Sequence, residues 1–348
     1  MINDFWKKLH KPILALAPMA DVTDTAFRRI IAKYGKPDVM FTEFVSCDGL
    51  CSAGKKNLLP ILKYSEKERP IVAQVFGANP ENFYKSAKII TKLRFNGIDI
   101  NMGCPDKKVL KQDAGAALIN NPKLAQEIIR QTKKGAGNIP VSIKTRIGYD
   151  KYDKKEFKKW LVALLEEKPA AITIHARTKK EMSLVPAHWD IIAEAVKIRN
   201  KFDSSKNKTL ILGNGDVKNI ADAKEKAKIS GADGVMIGRA IFGNPWLFAN
   251  LAREKRECQI NHPPKLLVKT DCAYITTEKK LQVLLEHAKL FSAIGGSASG
   301  GKNTKNFDIM KKHFKAYVTG FPRAKELRIK LMACKNADEA EKIIFAYL

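Results

Sequence analysis

The sequence predicts an α/β fold, a (β/α)8 TIM barrel followed by a small all-helical C-terminal domain. Three observations lead there. Eight short β-rich runs alternate with segments of helical period. Runs such as Ala171-Ile172-Thr173-Ile174 are too apolar for a half-solvated strand and fit a parallel sheet covered on both faces. The alternation occupies roughly 250 residues, the ordinary size of such a barrel, in a chain of 348.

The strand runs fall at 13–19, 39–45, 70–77, 97–102, 140–146, 170–177, 209–213 and 234–238. Helical period marks 25–34, 81–95, 124–134, 154–167, 189–201, 220–230 and 245–257, while the stretch after Val45, with Gly49 and Gly54, reads as loop. A doubly wound open sheet is the competing arrangement, but no G-x-G-x-x-G follows the first strand. After Cys258 the pattern changes. Asn261-His262-Pro263-Pro264 reads as a connector, and helices are expected over 278–294, 305–318, 323–334 and 337–347, broken by Gly/Ser-rich 295–301. The domains are therefore expected at 1–258 and 259–348.

With 45% hydrophobic and 28% charged residues, the chain has material for a core and lacks the signature of disorder. Sixty-three Lys and Arg against 36 Asp and Glu leave +27, which points to a polyanionic partner unless a lysine-rich proteome accounts for it. Six cysteines (Cys47, Cys51, Cys104, Cys258, Cys272, Cys334) contain no C-x-x-C pair, so a reducing cytoplasm is expected, without a disulfide framework or metal site. Lys7, Lys8 and Lys11 precede a short apolar run that meets Pro18, a buried strand rather than a leader. No run approaches the ~20 apolar residues of a membrane span. A monomer without obligate protein partner is expected.

In such a barrel the chemistry sits at the C-terminal ends of the strands, with a phosphate site often following the last two. The exits carry Ala17-Pro18-Met19-Ala20, Gln74-Val75-Phe76-Gly77, Asn101-Met102-Gly103-Cys104-Pro105, Lys144-Thr145-Arg146, His175-Ala176-Arg177, Asn214-Gly215-Asp216 and Gly238-Arg239. Gly215 and Gly238 admit backbone N–H groups to an anion and Arg239 suits a phosphate; tight turns are the alternative use of those glycines. Lys144, Arg146 and His175 bring donors from neighbouring strands to an electron-rich ring or a developing enolate, although each alone would serve as a surface charge. Cys104 lies on a loop leaving the fourth strand. Its thiol is mostly protonated at neutral pH and suits a general acid; the competing reading is a small buried hydrophobe.

Three stretches carry a resemblance. They are Ala17-Pro18-Met19-Ala20-Asp21-Val22-Thr23-Asp24 with Phe27-Arg28-Arg29; Asp99-Ile100-Asn101-Met102-Gly103-Cys104-Pro105 with Lys107-Lys108-Val109 and Ala114-Gly115-Ala116; and His175-Ala176-Arg177-Thr178. Over almost the whole chain the sequence resembles the tRNA-dihydrouridine synthases, and Asp106-Lys107-Lys108 with 317–322 resembles their bacterial B-type branch. The resemblance implies FMN at the barrel mouth, NADPH (or NADH) as reductant, and reduction of the C5=C6 bond of particular uridines in tRNA. It implies FMN contacts from Pro18, Met19, Ala20, Gln74, Lys144, His175, Asn214, Gly215, Asp216, Gly238 and Arg239. Asn101 and Arg146 would face the uracil, Arg177 would meet RNA, and Cys104 would be the proton donor. The basic helical domain, with Lys311, Lys312 and Lys315, is expected to bind the tRNA. On the residues alone, a flavin dehydrogenase of a free pyrimidine and a non-catalytic RNA-binding barrel stay open.

Overall fold

A computed structural model describes residues 4–205, 208–249, 275–295 and 306–348. They form two compact units, Met1–Ala20 with Pro37–Arg239, and Asp21–Lys36 with Ala240–Leu348.

The first unit is the barrel. Its strands are β1 (Ile13–Leu16), β2 (Met40–Phe41), β3 (Val45–Ser46), β4 (Ile71–Phe76), β5 (Gly97–Met102), β6 (Val141–Arg146), β7 (Ala171–His175), β8 (Leu210–Asn214) and β9 (Gly234–Ile237). All ladders are parallel, in the order β1-β9-β8-β7-β6-β5-β4-β2, with β3 also on β4. The ring closes where Asp38 N donates to Leu14 O at 2.8 Å and Leu16 N to Val39 O at 3.1 Å. The run expected as one strand over 39–45 is thus two short pieces along one stave. Between them Gln74 N donates to the Thr42 hydroxyl at 3.1 Å, so a side chain takes the place of a ladder carbonyl.

The helices are α1 (Thr25–Tyr34), α2 (Pro80–Lys92), α3 (Pro122–Ala136), α4 (Lys154–Glu166), α5 (Trp189–Phe202) and α6 (Ile220–Ser230). Asn79 and Asn121 cap α2 and α3 through their side chains, each followed by a proline whose missing N–H costs the first turn nothing. The segment after Val45, expected as loop, instead winds into one-turn helices at Cys47–Leu50 and Lys55–Leu58, the first capped by Ser46 Oγ accepting from Gly49 N. A core cluster that includes Trp6, Ile13, Phe41, Val72, Leu212 and Met236 packs the barrel.

The second unit contains α7 (Thr277–Gly295), α8 (Met310–Tyr317), α9 (Ala324–Met332) and α10 (Ala337–Phe345), close to the four helices expected. It also contains α1, because Ala26 and Ile30 belong to the same buried cluster as Leu281, Leu284, Phe314 and Ile344. Lys33 Nζ and Tyr34 Oη donate to the Glu286 carboxylate at 2.7 and 2.6 Å, fastening α1 to α7. The division falls after Arg239, whereas a boundary at 258 was expected; position 258, and 250–257 of the helix expected over 245–257, lie outside the described residues. No helix among the described residues is long and apolar enough to cross a membrane.

Candidate active site

The C-terminal ends of the barrel strands enclose a cavity of about 630 Å³, within the size range of small-molecule and cofactor sites. Register assembles its wall: Asn101 pairs with Lys144 across β5 and β6, Arg146 with His175 across β6 and β7, and His175 with Asn214 across β7 and β8. Side chains two apart on a strand share a face, so each exit delivers more than one group to the same space.

The Cys104 loop is held from below by a chain of amides. Asn101 Oδ1 accepts from Gly103 N at 3.1 Å and from Cys104 N at 2.9 Å. Its Nδ2 donates to Gln74 Oε1 at 3.0 Å, and Gln74 Nε2 donates in turn to Asp99 Oδ2 at 2.7 Å. Ser142 Oγ donates to the other Asp99 oxygen at 2.6 Å. Asp99 is buried, and burial pushes its carboxyl up to about 6 against the pull of these donors. From above, Ala116 N donates to Cys104 O at 3.1 Å. Gly115 makes this approach possible: its φ is +63°, and a Cβ there would stand 2.8 Å from Cys104 O. Arg146 Nε donates to Gly103 O at 2.7 Å. Burial pushes the Cys104 thiol above its ordinary range, so at neutral pH it keeps its proton.

Opposite stands a cationic wall. Lys144 Nζ donates to Asn214 Oδ1 at 3.1 Å, and Asn214 Nδ2 is fixed on Met236 O at 2.8 Å. Burial, with the Arg146 charge next in weight, holds Lys144 down to about 8. Burial first, then the charges of Lys144, Arg146, Arg177 and Arg239, drives His175 down to about 2, so it is a neutral imidazole and not a cation. Its Nε2 lies 3.3 Å from Arg177 Nη1; a guanidinium only donates, so Nε2 accepts and the ring proton sits on Nδ1. Asp216 bonds Arg177 Nη2, accepts from Arg239 Nη2 at 2.9 Å and from Ala187 N at 3.0 Å, and the Arg177 contact holds its carboxyl below the usual range.

The sequence pattern of dihydrouridine synthase (Dus) matches residues 15–346. The chain belongs to the dihydrouridine synthase family. Over 345 residues, 99% of the chain, it is 39% identical to a probable tRNA-dihydrouridine synthase of Staphylococcus aureus, covering 95% of that protein. It is 37% identical over the same length to probable tRNA-dihydrouridine synthase 2 of Bacillus subtilis, covering 96% of it. Among solved structures the fold is similar to histamine dehydrogenase from Rhizobium sp. 4-9 (TM-score 0.52, 12% identical, 80% of this chain and 48% of that one). It is also similar to 2-naphthoyl-CoA reductase (TM-score 0.51, 11% identical, 72% and 52%). The chain spans about half the length of each, and the likeness is one of fold.

In this member of the dihydrouridine synthase family, Pro18, Met19, Gln74, Asn101, Cys104, Lys144, Arg146, His175, Arg177, Asn214, Gly215, Asp216, Gly238 and Arg239 all line the cavity. Ala20 does not; it is exposed outside it. Arg177, expected to meet RNA, is buried in the cavity wall with its guanidinium engaged by Asp216, His175 and Val185 O. Asn101, expected to face a ring, has its carbonyl committed to the Cys104 loop. Lys311, Lys312 and Lys315 lie on α8 in the helical unit, with Lys311 paired to Asp308 at 2.6 Å. Cys47 is buried and Cys51 Sγ faces Asn82 O, and no metal cluster forms among the described residues. Asp99 and Ser142 were not foreseen as site groups, although each is two residues from a chosen one on its strand. Phe44, Ser183 and Lys218 also line the cavity, but they come from loops, where no periodicity marks them.

Proposed function

We propose that the chain reduces the C5=C6 bond of uridines in tRNA, with FMN at the barrel mouth and NADPH or NADH as reductant. The names of its relatives support the substrate. The residues present fit a flavin. The Lys144 ammonium is enclosed and hydrogen-bonded to a neutral amide, leaving donor capacity for an electron-rich ring edge. A Cβ on Gly238 would meet only Met19 Sδ at 3.7 Å and Ala17 Cβ at 3.8 Å, so the wall there is thin and open to a ligand. Pro18, Met19, Gln74, Lys144, His175 and Asn214 would hold the ring system, and Gly215, Asp216, Gly238 and Arg239 the phosphate end. Bound there, FMN supplies the hydride that C6 of the uracil accepts.

Hydride at C6 places negative charge on the C4 carbonyl of the uracil, and a proton must reach C5. Cys104 Sγ–H gives that proton and leaves as thiolate, to be reprotonated from solvent. Arg146, with Nε on Gly103 O and Nη1 on Thr178 O, keeps a rigid positive charge beside this loop and stabilises the developing oxyanion. The observation that carries the reading is the position of Cys104, on a loop whose backbone Asn101 and Gly115 hold at the rim of a cationic cavity. In the same proposal the enzyme is a cytoplasmic monomer, and α8 with Lys311, Lys312 and Lys315 contacts the tRNA backbone.

The test is mass spectrometry of tRNA from cells lacking the protein, before and after incubation with it and NADPH. Two hydrogens gained at a uridine are expected; unchanged masses would refute the reading. Cys104→Ala is expected to stay yellow with bound flavin and lose about 10²- to 10⁴-fold in turnover, the usual contribution of a general acid.

A further inference from the structure

Five large apolar side chains of the barrel unit are well exposed: Leu93, Met182, Leu184, Phe202 and Ile229. Leu93, Phe202 and Ile229 stand at the C-terminal ends of α2, α5 and α6. Barrel helices run opposite to the strands, so these three lie on the face away from the mouth. Met182 and Leu184 are different. They sit on the loop leaving β7, at the mouth, and Ser183 between them lines the cavity. Leu184 is 84% exposed, more than any other large apolar side chain among the described residues, and Met182 is 48% exposed.

The backbone beneath them is pinned. Glu181 Oε2 accepts from Thr178 N at 2.7 Å, Leu184 N donates to Glu181 O at 2.9 Å, and Arg177 Nε donates to Val185 O at 2.6 Å. Lys179 N and Lys180 N donate to Gly148 O and Tyr149 O, both at 3.0 Å. A lone exposed leucine needs no explanation. Two apolar tips held out by a fixed loop, at the edge of the cavity, with exposed Lys180 on the same loop and exposed Lys218 and Lys107 after β8 and β5, describe a surface for a partner that is polyanionic outside and apolar inside. A nucleic acid has that chemistry: phosphates for the lysines, base faces for the tips.

We infer that Met182 and Leu184 form an apolar wedge that enters the base stack of the RNA at the gap left by the reacting uridine. The inference rests on the proposed uridine reduction. A nucleotide drawn into the cavity leaves its neighbours unstacked, and filling that gap offsets part of the cost of extrusion. Because the loop is already ordered, little is lost in fixing it on binding.

The test compares wild type with the Met182→Ser/Leu184→Ser double variant on unmodified tRNA and on a short single-stranded oligouridylate, which has no stack to fill. On tRNA, binding and kcat/KM are expected to fall about tenfold or more, while on the oligonucleotide kcat/KM changes by no more than about twofold. The slope of log Kd against log salt for tRNA should be unchanged, since the double variant keeps every lysine that meets a phosphate, whereas Lys180→Ser should lower it. A double variant that binds and reduces tRNA like wild type, or that loses both RNAs equally, overturns the wedge. Wild type that reduces neither RNA overturns the proposed function itself.

Discussion

Lys144 sets the charge of the mouth within the working pH range. Held down to about 8, it is an ammonium below that pH and a neutral amine above it. If the ammonium supports the reaction, kcat/KM falls as pH rises through about 8, and Lys144→Met should be slower and lose that limb. His175, driven to about 2, contributes no limb near the ordinary histidine value. A pH–rate profile with a break near 6.5 and none near 8 would contradict both assignments. The residues at the strand exits were legible because a parallel barrel puts its chemistry there and strand side chains alternate. Asn101 was legible as a strand-exit residue that lines the cavity, but its hydrogen bonds were not. Its amide is oriented by Gln74 from β4, which Asp99 orients in turn, and contacts between strands leave no trace in sequence spacing.

At the scale of elements, buried histidines make the helical unit sensitive to acid. His287 on α7 and His313 on α8 meet edge to face with ring centroids 4.5 Å apart, against Phe27, and none of their four ring nitrogens has a hydrogen-bond partner among the described residues. Burial holds His287 down to about 3 and His313 well below its ordinary value. The unfolded chain binds these protons near 6.5 and the folded one does not. Their stabilising effect is therefore complete above about pH 6.5 and is lost as pH falls toward 3, at up to about 1.4 kcal/mol per pH unit for each histidine. Melting of the full chain at pH 7.5 and 5.5 should show the drop, and His287→Phe with His313→Phe should flatten it; equal slopes would refute the account. Asparagine-proline pairs mark the starts of α2 and α3 in the sequence itself. The split of one stave into β2 and β3 was not legible, because it depends on the Thr42 hydroxyl meeting Gln74 N from another strand.

For the whole molecule, a charge of +27 predicts binding to tRNA that weakens with salt. Charge reversal at Lys311, Lys312 and Lys315 should weaken that binding, lower the salt slope by about 0.9 for each phosphate no longer neutralised, and leave flavin content untouched. Filter binding across a salt series would show it, and an unchanged slope would place the RNA on another surface. The helical repeat of α1 was legible, but its membership was not, since the barrel and the helical unit ask for the same amphipathic pattern. That membership bears on biosynthesis. The ribosome releases Ala26 and Ile30 long before Leu281, Phe314 and Ile344 exist to cover them, so the emerging polypeptide carries an unquenched sticky stripe through the synthesis of the entire barrel. A nascent chain stalled before α7 should therefore attract holding chaperones, and a fragment beginning at Ala240 would lack one wall of its own interior.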